Sequence, residues 1–193
     1  MNEIRDFIDK ISKMNNTDWA FFSSCFFSSK LKKIKYSKNT KILELGKIER
    51  HLYFITKGII RLYIPKEDAD ITFGFSFENE FVTGYDSLLT ETPSAYEIET
   101  LTETEMWQIN NMDLQEVYAH TSVGNIIGRK MAENMYLIKS KGELSLLSKT
   151  AEERYLDLFN ERPNLLQHIP LKYIASYIGV TPQALSRIRK RIT

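Results

Sequence analysis

The sequence predicts an α+β chain: an N-terminal antiparallel β-roll or barrel with flanking helices, then one long helix, then a C-terminal helix-turn-helix of the winged-helix kind. Three observations predict it. From Leu31 to about Gln108 the chain is rich in short β-branched and aromatic runs broken by turns, with no long helical period. Val123, Ile127, Met131, Met135 and Ile138 then recur at helical spacing. Leu171–Arg191, LKYIASYIGVTPQALSRIRKR, reads as two short helices around a tight turn.

Composition bounds the alternatives. The chain has 193 residues, 42% hydrophobic and 26% charged, which supports real cores and argues against disorder or a fibrous fold. Net charge is only +1, so any affinity for nucleic acid must be local. Four of the last seven residues, Arg187, Arg189, Lys190 and Arg191, are basic, whereas Glu97 to Glu105 holds four acids. One cysteine, Cys25, excludes a disulfide framework or a four-cysteine site within the chain. No apolar run approaches the roughly twenty residues that span a bilayer, so a cytoplasmic protein with no membrane partner is expected.

In order, Asn2 to Met14 places Ile4, Phe7, Ile8, Ile11 and Met14 on one face of a short amphipathic helix. Thr17, followed by Asp18, caps a second apolar segment, Trp19 to Phe27. The β region opens with Leu31–Tyr36 and Ile42–Leu45 around a Ser-Lys-Asn-Thr turn, and continues through LYFITKGIIRLYI from Leu52 and ITFGFSF from Ile71. Glu78–Ser94 reads as an irregular, partly helical insertion punctuated by Gly84 and Pro93. Glu97–Gln108 alternates as one half-buried strand, with Ile98, Thr100, Thr102, Thr104 and Met106 inward and the acids on a solvated face.

After Asn111 the period turns helical. Asp113–His120 is a short helix, and the Val123–Ile138 stripe lies on a longer one that ends near Leu147 and spans well over 30 Å at about 1.5 Å per residue. A small β domain cannot cover all of that stripe, and a second copy of the chain is the economical partner. The alternative is one amphipathic helix folded onto the barrel. Lys149–Pro163 is a further helix carrying Tyr155, Leu156 and Phe159, which Pro163 ends.

The end of the chain carries the most chemistry. Leu171, Ile174, Ala175 and Ile178 share one face of the first helix, Gly179 suits its C-terminus, and Thr181-Pro182 supplies a cap and a first helical position for the second. Leu185 and Ile188 point back at the first helix. That leaves Gln183, Ser186, Arg187 and Lys190 outward, a polar, basic face free of acid. Gln can pair with adenine and Arg with guanine in a major groove, and the N-H groups near Thr181 can grip a phosphate. The alternatives are a helical hairpin with a solvated charged face, or a ligand-sensing module whose helical tail binds a protein. There is no glycine-rich phosphate loop, nucleophile elbow or metal-ligand cluster, and an enzyme is not expected. His51, His120 and His168 occur singly, so no metal and no cofactor is predicted.

The order of a small β barrel, a long helix and a helix-turn-helix resembles the Crp/Fnr superfamily of transcription regulators over nearly the whole chain. Gly46, Leu52-Tyr53-Phe54-Ile55 and Gly58 fit the glycine spacing of the cyclic-nucleotide-binding fold, whereas Leu43, Lys47 and Glu49 depart from its pattern. Ala175, Gly179, Thr181, Ser186 and Arg187 match the DNA-binding signature. The resemblance implies three parts: a cyclic-nucleotide-binding-like sensor over 1–115, a dimerisation helix and linker over 116–148, and a DNA-binding domain over 149–193. Its recognition contacts fall on Pro182, Gln183 and Arg187, with Thr181, Ser186, Arg189 and Lys190 beside them on double-stranded DNA.

A homodimer on a palindromic operator, its recognition helices about 34 Å apart, and contact with RNA polymerase are implied as well. The Gly-Glu pair and Arg that hold a cyclic nucleotide in that family align with Gly84, Tyr85 and Ser94. Both anchors are therefore missing, and tight binding of cyclic AMP is not expected. Phe73, Phe75, Gly84, Tyr85, Ser94 and Ala95 mark the candidate effector pocket, its small-molecule effector unknown. The chain stops at Thr193, soon after the recognition helix, and no full wing is expected.

Overall fold

The computed structural model describes Ile4, Asp6 and residues 29–192. Ile4 and Asp6 are helical; the rest of the helix expected over Asn2–Met14, the segment Trp19–Phe27 and Cys25 lie outside the described residues. Eight strands follow among those described: β1 (Lys32–Tyr36), β2 (Lys41–Leu43), β3 (His51–Lys57), β4 (Ile60–Ile64), β5 (Ile71–Ser76), β6 (Phe81–Val82), β7 (Glu97–Thr100) and β8 (Thr104–Asn110). They form two four-stranded sheets, ordered β1-β8-β3-β6 and β2-β7-β4-β5. The β1–β8, β3–β8, β3–β6 and β2–β7 pairs are antiparallel.

The core explains the register. Met106, fully buried, stands opposite Ile34 of β1 on one side and Ile55 of β3 on the other, so three apolar side chains align across the sheet. The turn that carries the chain from β3 to β4 needs Gly58. Its φ is +108°, and a Cβ there would stand 2.5 Å from Thr104 Oγ1 and 2.8 Å from the Glu103 carbonyl oxygen.

The single alternating strand expected over Glu97–Gln108 is two strands in different sheets, β7 and β8, broken at Leu101–Glu103. Of its four acids only Glu103 is exposed, as expected; the other three leave the expected solvated face. Glu97 is buried and pairs with Lys41 of β2 at 2.8 Å, Glu99 pairs with the buried Arg61 of β4 at 2.8 Å, and Glu105 pairs with Lys33 and Lys35 of β1 at 3.0 and 2.7 Å. Each of these three acids is neutralised by a base on a neighbouring strand. A sequence pattern of alternating acids cannot reveal such partners.

Seven helices complete the described residues: α1 (Tyr85–Thr90), α2 (Asn111–His120), α3 (Ser122–Ser148), α4 (Ala151–Glu161), α5 (Pro163–His168), α6 (Leu171–Tyr177) and α7 (Pro182–Ile192). The Asn110 side chain caps α2 by accepting from the Asp113 amide at 2.8 Å. Thr150 and Glu153 form a capping box on α4. Pro163 does stop a helix, but it also opens α5, because its fixed φ suits a first helical position as well as it forbids an interior one.

The chain divides into two compact units, residues 1–62 with 75–134, and residues 63–74 with 135–193. In the first, Leu52, Phe54, Ile109, Leu114 and Val117 form a core with Ile4, and α3 contributes Ile127 to it while Met131 packs against its edge. Ile127 is thus committed within its own chain. Met135 is half-buried and Ile138 is 50% exposed. The same helix carries a second apolar side that the expected stripe does not include. Tyr136, Leu137, Leu144 and Leu147 lie within about a quarter-turn arc at 3.6 residues per turn, and they are 71%, 64%, 61% and 78% exposed.

Candidate nucleic-acid interface and sensor cassette

The C-terminal helix pair is built by local signals that the structure realises one by one. Gly179 has φ +75°, and the two amides that close the end of α6 do so in a Schellman pattern: Val180 N donates to the Ala175 carbonyl at 2.9 Å and Gly179 N to the Ser176 carbonyl at 3.0 Å. Arg154 of α4 braces the same end, donating from Nε to the Ile178 carbonyl at 2.9 Å and from Nη1 to the Lys149 carbonyl. Two residues later Thr181 Oγ1 accepts from Ala184 N at 3.2 Å, and Pro182 begins α7.

The face assignment on α7 follows. Leu185 and Ile188 are buried, together with Ile174, Ala175 and Ile178 from the first helix. Thr181, Pro182, Gln183, Ser186, Arg187, Arg189 and Lys190 are all exposed. No acid occurs from Pro182 to Ile192, and among the described residues neither Arg187 nor Lys190 has an acidic partner. Arg191 differs: its guanidinium is held by Glu152 of α4 at 2.6 Å, which takes it out of the candidate surface. Below the helix, Ser176 of α6 ties in the segment that joins β4 to β5. Its hydroxyl donates to the Asp70 carbonyl at 2.7 Å and accepts from Thr72 N at 2.8 Å.

The candidate effector cassette, residues 83–95, is the opposite kind of site. Gly84 precedes α1, and a Cβ there would stand 2.5 Å from Leu43 Cδ2, so close packing alone requires glycine. Tyr85 is half-buried, Ser94 is buried and Ala95 is exposed. The Ser94 hydroxyl donates to the Tyr96 carbonyl at 2.8 Å and accepts from Tyr96 N at 3.2 Å, while its backbone is paired with Gly46 and Lys47. Phe75 is buried and Phe73, on the same strand, is half-buried, its ring 4.6 Å from Lys139 Nζ. Phe73 and Phe75 thus lie on β5, whereas Gly84 and Tyr85 stand at the start of α1 and Ser94 and Ala95 in the loop before β7.

A cavity of about 220 Å³ lies beside the β2–β3 loop and is lined by residues that include Leu43, Lys47, Glu49, His51 and Tyr53. Glu49, unread as a site residue from the sequence, dominates it. It is 3% exposed, and burial pushes its carboxyl above the usual range against the pull of the His51, Gly84 and Arg50 amides. Beside it the half-buried His51 ring lies 5.9 Å from Tyr53, and burial, aided by Lys32, lowers its imidazole pKa. The sequence signal was present only as Glu49's departure from the family pattern.

Residues 33–121 match the cyclic nucleotide-binding domain family. No curated protein is similar to the chain in sequence. Among solved structures, FixK2 from Bradyrhizobium japonicum is 16% identical, with 84% of each chain covered and a TM-score of 0.71. A CooA variant from Carboxydothermus hydrogenoformans is 14% identical, with 94% of this chain and 85% of that one covered and a TM-score of 0.70. A transcriptional regulator of the Crp/Fnr family from Eubacterium rectale is 15% identical, with 96% and 87% covered and a TM-score of 0.64. These likenesses establish the fold: a cyclic nucleotide-binding domain with a helical C-terminal part, similar to that of Crp/Fnr regulators.

Proposed function

We propose that this chain, built on the Crp/Fnr fold, is a sequence-specific DNA-binding transcription regulator that acts as a homodimer and does not respond to cyclic AMP. The observation that carries the reading is the outward side of α7. Gln183, Ser186, Arg187 and Lys190 are exposed on a helix whose opposite side is locked to α6 by Leu185 and Ile188, so a rigid basic ridge is offered without an acid to neutralise it. In a major groove Gln183 and Arg187 read base edges, Ser186 and the Gln183 amide touch phosphate, and Arg189 and Lys190 add charge near the backbone. Pro182 contributes shape and no side-chain donor.

Dimerisation through α3 pairs the second apolar side, Leu137 and Leu144 with Tyr136 and Leu147, across a two-fold axis. Met135 and Ile138 flank that seam, whereas Ile127 serves the monomer's own core. Two recognition helices about 34 Å apart then match a palindromic operator. The division into a sensor over 1–115, a dimerisation helix over 116–148 and a DNA-binding domain over 149–193 belongs to this reading. So do a cytoplasmic location, the absence of catalysis and contact with RNA polymerase.

Indifference to cyclic AMP follows from Tyr85 and Ser94 standing where a carboxylate and a guanidinium would hold the nucleotide; a lost charge-assisted pair of that kind costs about 1.5–3 kcal/mol or more. In vitro selection of duplexes by the purified chain tests the whole reading. A two-fold symmetric consensus with half-sites one helical turn apart is the expected result, and enrichment of no sequence would contradict it.

A further inference from the structure

In the sensor unit one acidic side chain gathers the backbone amides of two segments that are distant in sequence. Glu49 Oε1 accepts from Arg50 N and His51 N at 2.9 Å each, which folds the β2–β3 loop around the carboxylate. Glu49 Oε2 accepts from Gly84 N at 3.4 Å, at the entry to α1. The ties run back as well. Glu49 N donates to Ser87 Oγ at 3.0 Å, Ser87 Oγ donates to the Thr92 carbonyl at 2.5 Å, and Thr83 Oγ1 donates to the His51 carbonyl at 2.8 Å. Loop and cassette are thereby stapled at Thr83, Gly84 and Ser87, and Ser87 in turn holds Thr92.

This arrangement has two physical consequences. An anion approaching the cassette would meet a buried negative charge instead of a vacant amide, and in a weakly screened interior like charges repel strongly. Two of the cassette's donors are also already used within the chain: Gly84 N is bonded to Glu49, and the Ser94 hydroxyl donates to Tyr96. A buried carboxylate accepting several backbone amides is costly to remove, because the amides are then left unpaired.

We infer that Glu49 is a built-in anion standing in for an anionic effector: it keeps Thr83–Thr92 docked against the β2–β3 loop and shuts anionic ligands out of the roll. The regulatory consequence rests on the DNA-binding reading, since a cassette docked by the chain itself lets the reader bind its duplex with no added molecule. The docking itself does not depend on that reading.

Hydrogen–deuterium exchange on the full chain tests the docking. In Glu49→Ala, peptides covering 83–92 and the amides of Arg50 and His51 should exchange about tenfold faster or more, the worth of one to two lost hydrogen bonds, while α7 peptides keep their rates. Formate or acetate, each a free carboxylate that fits the vacated space, should slow the cassette again. Unchanged exchange in Glu49→Ala, or faster exchange that neither carboxylate reverses, overturns the inference. Should Glu49→Ala not fold, Glu49→Gln carries the test. Its amide must turn an N-H2 toward donors, so the same peptides should exchange faster, and wild-type protection would overturn the inference.

The regulatory arm uses the duplex obtained by selection. Wild-type affinity should be the same with and without cyclic AMP, and a cyclic-AMP requirement overturns the stand-in role. If no duplex is selected at all, the DNA-binding reading fails and the exchange experiment still decides the docking.

Discussion

The sensor cassette and the reader helix α7 treat their polar groups in opposite ways. In the cassette the polar atoms turn inward: Glu49, Ser87 and Ser94 satisfy backbone groups of their own chain at 2.5–3.4 Å, and all three are buried. On α7 the polar side chains from Gln183 to Lys190 turn outward, and only Leu185 and Ile188 face the protein. A surface prepared for a partner leaves donors exposed and pre-positioned, whereas a site with its own partners has nothing left to offer. The chain therefore has one polar site closed on itself and one polar face left open, which is what the proposed reading needs.

That contrast can be broken at its most costly point by removing what holds the reader rigid. Leu185→Ala deletes a fully buried side chain between α6 and α7 and should destabilise the helical unit by about 2–5 kcal/mol, read by denaturant unfolding. The outward face should not share that sensitivity. Arg187→Ala should leave the unfolding midpoint within experimental scatter, yet weaken specific duplex binding by about 1–3 kcal/mol and relax one base position. Lys190→Ala should weaken all duplexes alike and lower the salt slope by about one.

A smaller effect is expected at the cap. Thr181→Ala removes the acceptor for Ala184 N and should cost about 1 kcal/mol of stability, seen as a lower midpoint in thermal unfolding. The smallest concerns a surface of the sensor sheet. Lys35 first, then Lys33, hold the Glu105 carboxyl down to about 2. Its folded value lies below the unfolded one, so its contribution is present above about pH 4.5 and disappears as pH falls toward 2. An NMR titration of Glu105 should show that low midpoint, and Lys35→Ala should move it up.

Much of the reader was legible in the sequence because its determinants are local. Gly179, Thr181 and Pro182 each act within a turn of their own position, and the Leu185/Ile188 spacing fixes which side faces in. Gly58, which turns the chain from β3 to β4, was legible only through the family's glycine spacing. What escaped depends on distance. Gly84 and Glu49 are 35 residues apart, so nothing near either one announces their bond. The bases that neutralise Glu97, Glu99 and Glu105 come from three different strands. The break between β7 and β8 was hidden because alternation continues through Leu101–Glu103 while the chain changes sheet. On α3 one helical period was read where two apolar sides exist, since the stripe that fits a core masks the one that does not.

The central claim is that the outward side of α7 reads a duplex. Equilibrium binding of the full chain to its selected duplex and to a scrambled one, measured from low to physiological salt with wild type and Arg187→Ala, tests it most directly. The account predicts that log affinity falls steeply and linearly with log salt for both duplexes, that wild type prefers the selected one by three orders of magnitude or more, and that Arg187→Ala loses about tenfold or more of that preference. Equal affinity for both duplexes, or a preference that Arg187→Ala leaves intact, would contradict it.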